Sequence, residues 1–383
     1  MDQAAEVGVR VRRMRHLNGL GQADLANASG LAQGQISMIE NGRVACKPEM
    51  LERLAEALGC GPRFLAGVRT PLAPTRPWLR AYADAPQKAL DRQLADVSNV
   101  VDVIEAADLR RPEVKLPDYL DDLNDYAAIE AFALDVREAA ELGRDAVVGN
   151  MMRAAEMLGC ILVPMGEELG KRHLGMSTRF GVTPFISVSR PSLDPARDVP
   201  GDRQRFTVAH ELGHLALHAH LDAPATAQDA RLIEKQAHRF AASFLAPGDA
   251  MLDELEARGG RVTLKTLAGI KLVWGVSIKA LVGRYRDIGV IDENQAVSLF
   301  KQIASRGYNK AEPVPVGNES AVWLRAALRE KTGRLDNSIA QVAELVDLPR
   351  EQIERWLDWT PTGAEVPHNV ATVIAFPSRD GLK

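Results

Sequence analysis

Residues 203–218 read Arg-Gln-Arg-Phe-Thr-Val-Ala-His-Glu-Leu-Gly-His-Leu-Ala-Leu-His, and no other stretch constrains the chain as tightly. His210 and His214 stand four apart in a run without proline, and its apolar residues (Phe206, Val208, Leu212, Leu215, Leu217) suit a helix. Both imidazoles then leave one face, where together they can grip one metal ion. Glu211 flanks that face, placed so that its carboxylate can take a proton from a water the ion holds. Gly213 is small at a point where such a helix packs closely on a neighbour.

A catalytic zinc usually takes three protein ligands, so a third must exist elsewhere. His220 follows His214 by six residues, but Leu217 stands where that spacing needs a turn-making glycine. Glu234 is the stronger candidate. It lies in a second amphipathic helical run, residues 232–246, which Pro247-Gly248 ends. His238 follows it by four residues and shares its helix face.

The two segments together resemble the ImmA/IrrE family of metallopeptidases, whose motifs read roughly RxRFTxAHELGHxxLH and then ExxANxFAAxxLxP. That resemblance implies His210, His214 and Glu234 as zinc ligands and Glu211 as the general base. The chain departs from the pattern at His238, where the family usually carries Asn or Asp to orient a ligand through a hydrogen bond. His238 can donate that bond, or it can ligate the ion itself. The implied cofactor is Zn2+, with Mn2+ as the alternative ion.

Residues 6–67 carry short helical units: Val9 to Leu17, then a helix, a tight turn at Gly30 and a second helix from about Ala32 to Glu40, then a closing helix through Leu51, Leu54 and Leu58. They resemble an XRE-type helix-turn-helix (HTH) DNA-binding domain. The resemblance implies that the second helix of the motif enters the major groove of a double-stranded operator, with Gln33, Gln35 and Met38 facing base edges. Gln22, Ser37, Asn41, Arg43 and the outward-facing early arginines (Arg10, Arg12, Arg13, Arg15) would meet phosphates.

Three prolines, Pro71, Pro74 and Pro77, mark a linker at residues 68–80. The peptidase domain then spans residues 81–310, with a helical lead-in at 81–145 and a catalytic core at about 146–250. Within it, residues 161–163 read as a strand and 175–189 as two short strands about a turn, a half-buried edge. Residues 184–189 could receive an extended peptide. His173 is an oxyanion candidate that reads more simply as a surface residue. Residues 312–315 form a second linker, 316–360 a helical interaction region and 361–383 a tail. The fold class is therefore multidomain and mostly α: an all-α N-terminal domain, a central α+β zincin-like domain with a small sheet, and a C-terminal helical region.

A net charge of −4 over 383 residues dictates no nucleic-acid or membrane partner, so any DNA contact is local. No run approaches the roughly 18 apolar residues of a membrane span. Cys46, Cys60 and Cys160 form no close pair, as expected of thiols in a reducing, cytoplasmic compartment. The expected function is a DNA-binding regulator, dimeric like its operator half-sites, fused to an endopeptidase that cuts a repressor or antitoxin-like protein. The alternative is a non-proteolytic regulator or antitoxin whose zincin-like domain senses a ligand or binds a partner.

Overall fold

The computed structural model describes residues 3–67, 72–75, 77–79, 87–165, 174–192, 199–221 and 224–360. Much of the expected first linker, His173 and the whole of the expected tail lie outside those residues. Helices α1 (Gln3–Leu17), α2 (Gln22–Ser29), α3 (Gln33–Glu40), α4 (Pro48–Leu58) and α5 (Pro62–Ala66) form the N-terminal unit. Its turns are set by sequence. Gly30 and Gly59 close α2 and α4 in the left-handed region that glycine enters without strain, and Pro48 opens α4 where no N–H is needed.

The short strand β1 (Trp78–Leu79) and the long helix α6 (Gln87–Ala106) come next. Helices α7 (Tyr126–Ala139) and α8 (Met151–Met157) precede the strands β2 (Ile161–Met165), β3 (Gly175–Phe180) and β4 (Thr183–Ser189). The rest is helical: α9 (Gly201–Leu217), α10 (Ala227–Leu245), α11 (Gly248–Glu256), α12 (Leu264–Trp274), α13 (Ile278–Asp287), α14 (Glu293–Ser305), α15 (Trp323–Thr332), α16 (Leu335–Val346) and α17 (Arg350–Leu357). The chain is mostly α with one small sheet, as expected. The C-terminal helices α16 and α17 are separate because Asp347 turns left-handed (φ 60°) and Pro349 cannot continue α16.

The sheet order is β1-β3-β4-β2, with β2 parallel to β4 and β3 antiparallel to both neighbours. This corrects the expectation of an edge at residues 184–189. β4 is paired on both sides and buried along nearly its whole length, so it has no free edge for a peptide. The sheet separates two apolar cores. Leu162, Ile186 and Val188 face a cluster built from α7 to α14, whereas Ile161, Val163, Met165, Met176, Phe180 and Phe185 face a cluster shared by α1 to α6 and α15 to α17.

Helix α6 is the spine of that second cluster. Its Asp102 accepts from Arg10 and Arg13 of α1, its Asp96 accepts from Gln352, Arg355 and the Trp356 indole of α17, and its Gln93 donates to Ser187 of β4. The expectation that the early arginines point outward is therefore corrected. Arg10 and Arg13 hold α6 with one bond each to the largely buried Asp102, and Arg15 turns into the core of the N-terminal unit, where it gives two N–H groups to buried Glu40. Arg12 alone of the four remains substantially exposed, beside Asn41.

The expected second linker is packed as well. The Glu312 carboxylate accepts from the first backbone N–H groups of α13 and pairs with buried Lys271, which also binds Asp202 in the first turn of α9. Glu319 caps α8 at Met151 and Met152 and pairs with Arg205 of α9. Residues 312–319 are thus tied to the start of α9, and a Cβ on Gly201 would overlap the Gly317 carbonyl.

The buried pair at Glu40 generates a stability prediction. Arg15 donates to both Glu40 oxygens at 2.6 and 2.9 Å, and Gln22 donates at 2.9 Å. Burial pushes the Glu40 carboxyl up, but these bonds and the charges of Arg15 and Arg12 outweigh it and hold it below the usual carboxylate range. A depressed folded value means the stabilisation is present above the ordinary glutamate range and is lost as pH falls through the folded value. Glu40→Gln should cost about 3 kcal/mol in denaturant unfolding at neutral pH, with the gap to wild type shrinking in acid. A gap that is independent of pH would contradict this account.

Candidate metal centre

Helix α9 is buried from Gly201 to Leu217 apart from positions such as Arg203 and Phe206, wedged between β3 and β4 on one side and α10 on the other. Its apolar residues Val208, Ala209, Leu212, Leu215 and Ala216 enter the core. That leaves His210 and His214 turned toward α10. Helix α10 is started by Thr226, whose hydroxyl accepts from Asp229 N–H while the Asp229 carboxylate accepts from the Thr226 backbone, a reciprocal cap that fixes the helix start. Gly213 lets the two helices meet. A Cβ there would lie 3.0 Å from the Phe240 ring and 3.2 Å from the Ala237 carbonyl.

The close approach carries Glu234 to the histidines. His210 Nε2 and His214 Nε2 are 3.1 Å apart, and the Glu234 oxygens lie 3.3 Å from His210 Nε2 and 3.4 Å from His214 Nε2. Ligands about 2.1 Å from one tetrahedral ion stand roughly 3.4 Å from each other, so these spacings fit a single cation. The donor set, two imidazole nitrogens and a carboxylate, is chemically that of zinc. Burial pushes the Glu234 carboxyl up, but hydrogen bonds and charge from His210 and His214 hold it well below the usual range. It therefore reaches the site as an anion.

The third histidine of the α9 face, His218, was not singled out in the sequence, yet it sets the chemistry of His214. Gln236 donates its amide N–H to the Leu123 carbonyl at 2.9 Å, so its oxygen faces His218 Nε2 at 3.1 Å. Burial, with the neighbouring His214, drives the His218 pKa down to about 3, so that ring is neutral. Its proton then sits on Nε2, which leaves Nδ1 to accept from His214 Nδ1 at 3.0 Å. His214 in turn keeps its Nε2 lone pair for the cluster. The i+4 spacing of His214 and His218 was the available signal, because it placed a third imidazole on the ligand face.

Glu211 is fully buried against β3. Ser177 Oγ donates to its Oε2 at 2.7 Å, and a Cβ on Gly175 would lie 2.8 Å from Glu211 Oε1. The strand thus holds the carboxylate beside the triad with a side chain at one position and the absence of one at another. Neither Ser177 nor Gly175 was picked from the sequence, although strand alternation put both on the α9 side. The other candidates stand outside the ligand triad. His220 is mostly exposed beside Asp118, and His238 is exposed with its ring 4.8 Å from that of Phe206. The partner on the His214 Nδ1 is His218, not His238. The Cys60 and Cys160 thiols are pushed up to about 12 by burial and do not join the group.

In the N-terminal unit, α3 turns Ile36 and Ile39 inward and leaves Gln33, Gln35 and Met38 exposed. Asn41 and Arg43 are exposed at its end, and Ser37 and Gln22 are half-buried. Gln22 is engaged with Glu40, and the Gln35 side chain caps its own helix at Ala32. Gln33, Met38, Asn41 and Arg43 are therefore left exposed along α3 and just beyond it.

Residues 163–286 match the model of a peptidase family, the IrrE N-terminal-like domain, and residues 6–66 match that of a helix-turn-helix domain. Both family resemblances read from the motifs hold. No curated protein and no solved structure matches the chain. Among the described residues no single helix is long and apolar enough to cross a membrane.

The geometry makes Gly213 decisive. Gly213→Val should force α9 and α10 apart, lower stability by about 1–3 kcal/mol and weaken metal retention against a chelator. Unchanged thermal unfolding with unchanged retention would show that the helices do not need this approach.

Proposed function

We propose that the chain is a DNA-binding regulator carrying a zinc-dependent endopeptidase. The single observation that carries the reading is the convergence of His210 Nε2, His214 Nε2 and a Glu234 oxygen beside the buried carboxylate of Glu211. His210, His214 and Glu234 would hold the ion, Zn2+ ahead of Mn2+. When bound, it supplies the Lewis acidity that polarises a scissile carbonyl. Glu211 accepts a proton from the attacking water on its carboxylate and returns it to the leaving amine. Ser177 keeps one of its oxygens engaged and so fixes the direction of the other. His218 and Gln236 hold the His214 ring in one tautomer, and His238 borders the site on the Glu234 face.

Helix α3 would enter the major groove, with Gln33, Gln35 and Met38 at base edges and Gln22, Ser37, Asn41 and Arg43 at phosphates, where Gln22 must divide its amide with Glu40. The matched helix-turn-helix domain and the exposure of this face support that role. The proposed substrate is a repressor or antitoxin-like protein, the assembly a homodimer on a two-fold operator and the compartment the cytoplasm. The unit boundaries we favour are 6–67 for DNA binding, 81–310 for the peptidase and 316–360 for the C-terminal helices.

The full burial of Glu211 favours a second reading, in which the peptidase-like domain senses a ligand and does not cut. Three variants separate the two. Glu234→Gln should lose the ion that the wild type holds at about one per chain, whereas His238→Ala should keep it, as read by elemental analysis. Glu211→Gln should lower cleavage of a co-expressed substrate by at least about 100-fold while operator affinity stays within about twofold. Retention of cleavage in Glu211→Gln, or an ion indifferent to Glu234, makes the sensing domain the better reading.

A further inference from the structure

The outer edge of β3 is occupied by the chain itself. Pro74 bridges to Phe180, Thr75 donates its backbone N–H to the Arg179 carbonyl at 2.7 Å, and Arg179 N–H donates to Thr75 Oγ1 at 2.9 Å. Thr178 Oγ1 also donates to the Thr75 carbonyl at 2.9 Å. Farther along, Trp78 and Leu79 lie antiparallel opposite Ser177 and Met176. Trp78 therefore stands across from the residue whose hydroxyl holds Glu211.

That edge has the properties of a peptide-docking strand. β3 lies against α9, its inner side is paired with β4, and its outer side can take one extended chain by main-chain hydrogen bonds. A small cleft at the same place is lined by Thr75, Thr178, Arg179, Leu215 and His218, so the occupant reaches the residue that orients His214. The hold on the occupant is weak by construction, because Pro74 and Pro77 have no N–H to give the ladder and Thr75 itself is exposed. The strap is also anchored to the N-terminal unit: Arg13, bound to Asp102, donates to the Leu72 carbonyl at 2.9 Å.

We propose that the segment around Thr75 and Trp78 is an internal pseudo-substrate, which fills the docking edge of β3 until an extended segment of the protein to be cut displaces it. The displacing segment runs antiparallel to β3 and carries Thr or Ser opposite Arg179, where a hydroxyl accepts that residue's N–H. This rests on the peptidase reading. It places the strap where the DNA-binding unit can pull on it through Arg13.

The test uses the full chain with Glu211→Gln as a background that cannot turn over, and a fluorescent synthetic peptide of the sequence of residues 72–82 as the probe. Thr75→Pro removes both the N–H and the hydroxyl that hold the strap, and it should bind the peptide at least about tenfold more tightly than the background, because the free edge becomes the major state. Thr75→Cys with Thr178→Cys joins positions whose hydroxyls are 3.5 Å apart; oxidised, it should bind no peptide, and reduction should restore binding. Equal affinity in background and Thr75→Pro, or binding by the oxidised pair, overturns the proposal, as does cleavage of the wild-type chain within residues 74–79. Peptide affinities that respond as stated, in a protein whose wild type holds metal but cuts nothing, would sink the peptidase reading and leave the docking edge standing.

Discussion

The close contact of α9 with α10 at Gly213 is the constraint on which the rest of the centre depends. Two buried helices can approach this far only if one of them offers no side chain at the crossing, and the Ala237 carbonyl and Phe240 ring occupy the space that a Cβ would take. The approach delivers Glu234 to the two histidines and Gln236 to His218 from one helix. A single backbone distance thus sets both the ligand group and the hydrogen-bond chain that orients it. On the other side, β3 performs the same service for Glu211 through Gly175 and Ser177.

What the sequence made legible was local. The four-residue spacing of His210 and His214, the amphipathic run around Glu234, and the turn at Gly30 are periodic or conformational signals that a helix must obey whatever surrounds it. The strands read at 161–163 and 175–189 were legible for the same reason, the first running on to Met165. Their order was not, since β4 looks like an edge until β2 is known to pair beside it. The arginines of α1 were misread because helical spacing says which residues share a face and says nothing of what covers that face. Here α6 does, with Asp102 waiting for Arg10 and Arg13. Ser177 was hidden by the same limit, for its role comes from Glu211 on another element, whereas spacing put His218 on the ligand face and left only its partner Gln236 unseen.

The N-terminal unit and the candidate metal centre are built into one body. Helix α6 touches α1, α17 and β4 through named polar contacts, and residues 312–319 bind the start of α9 through Glu312, Lys271, Asp202, Arg205 and Glu319. Lys271, Asp202, Arg205 and Glu319 are buried, so breaking one partner from another strands a charge away from water. A displacement of α1 on α6 must therefore be transmitted or resisted and cannot be absorbed by a slack tether. The helix-turn-helix unit and the peptidase-like site share that framework.

The most direct test of the centre is anomalous diffraction at the zinc edge from crystals of the purified full chain. This account predicts one anomalous peak at coordination distance from His210 Nε2, His214 Nε2 and a Glu234 oxygen, with His214 Nδ1 still bonded to His218. The absence of a peak there in zinc-loaded crystals, or a peak ligated by His220 or His238 in place of Glu234, would contradict it.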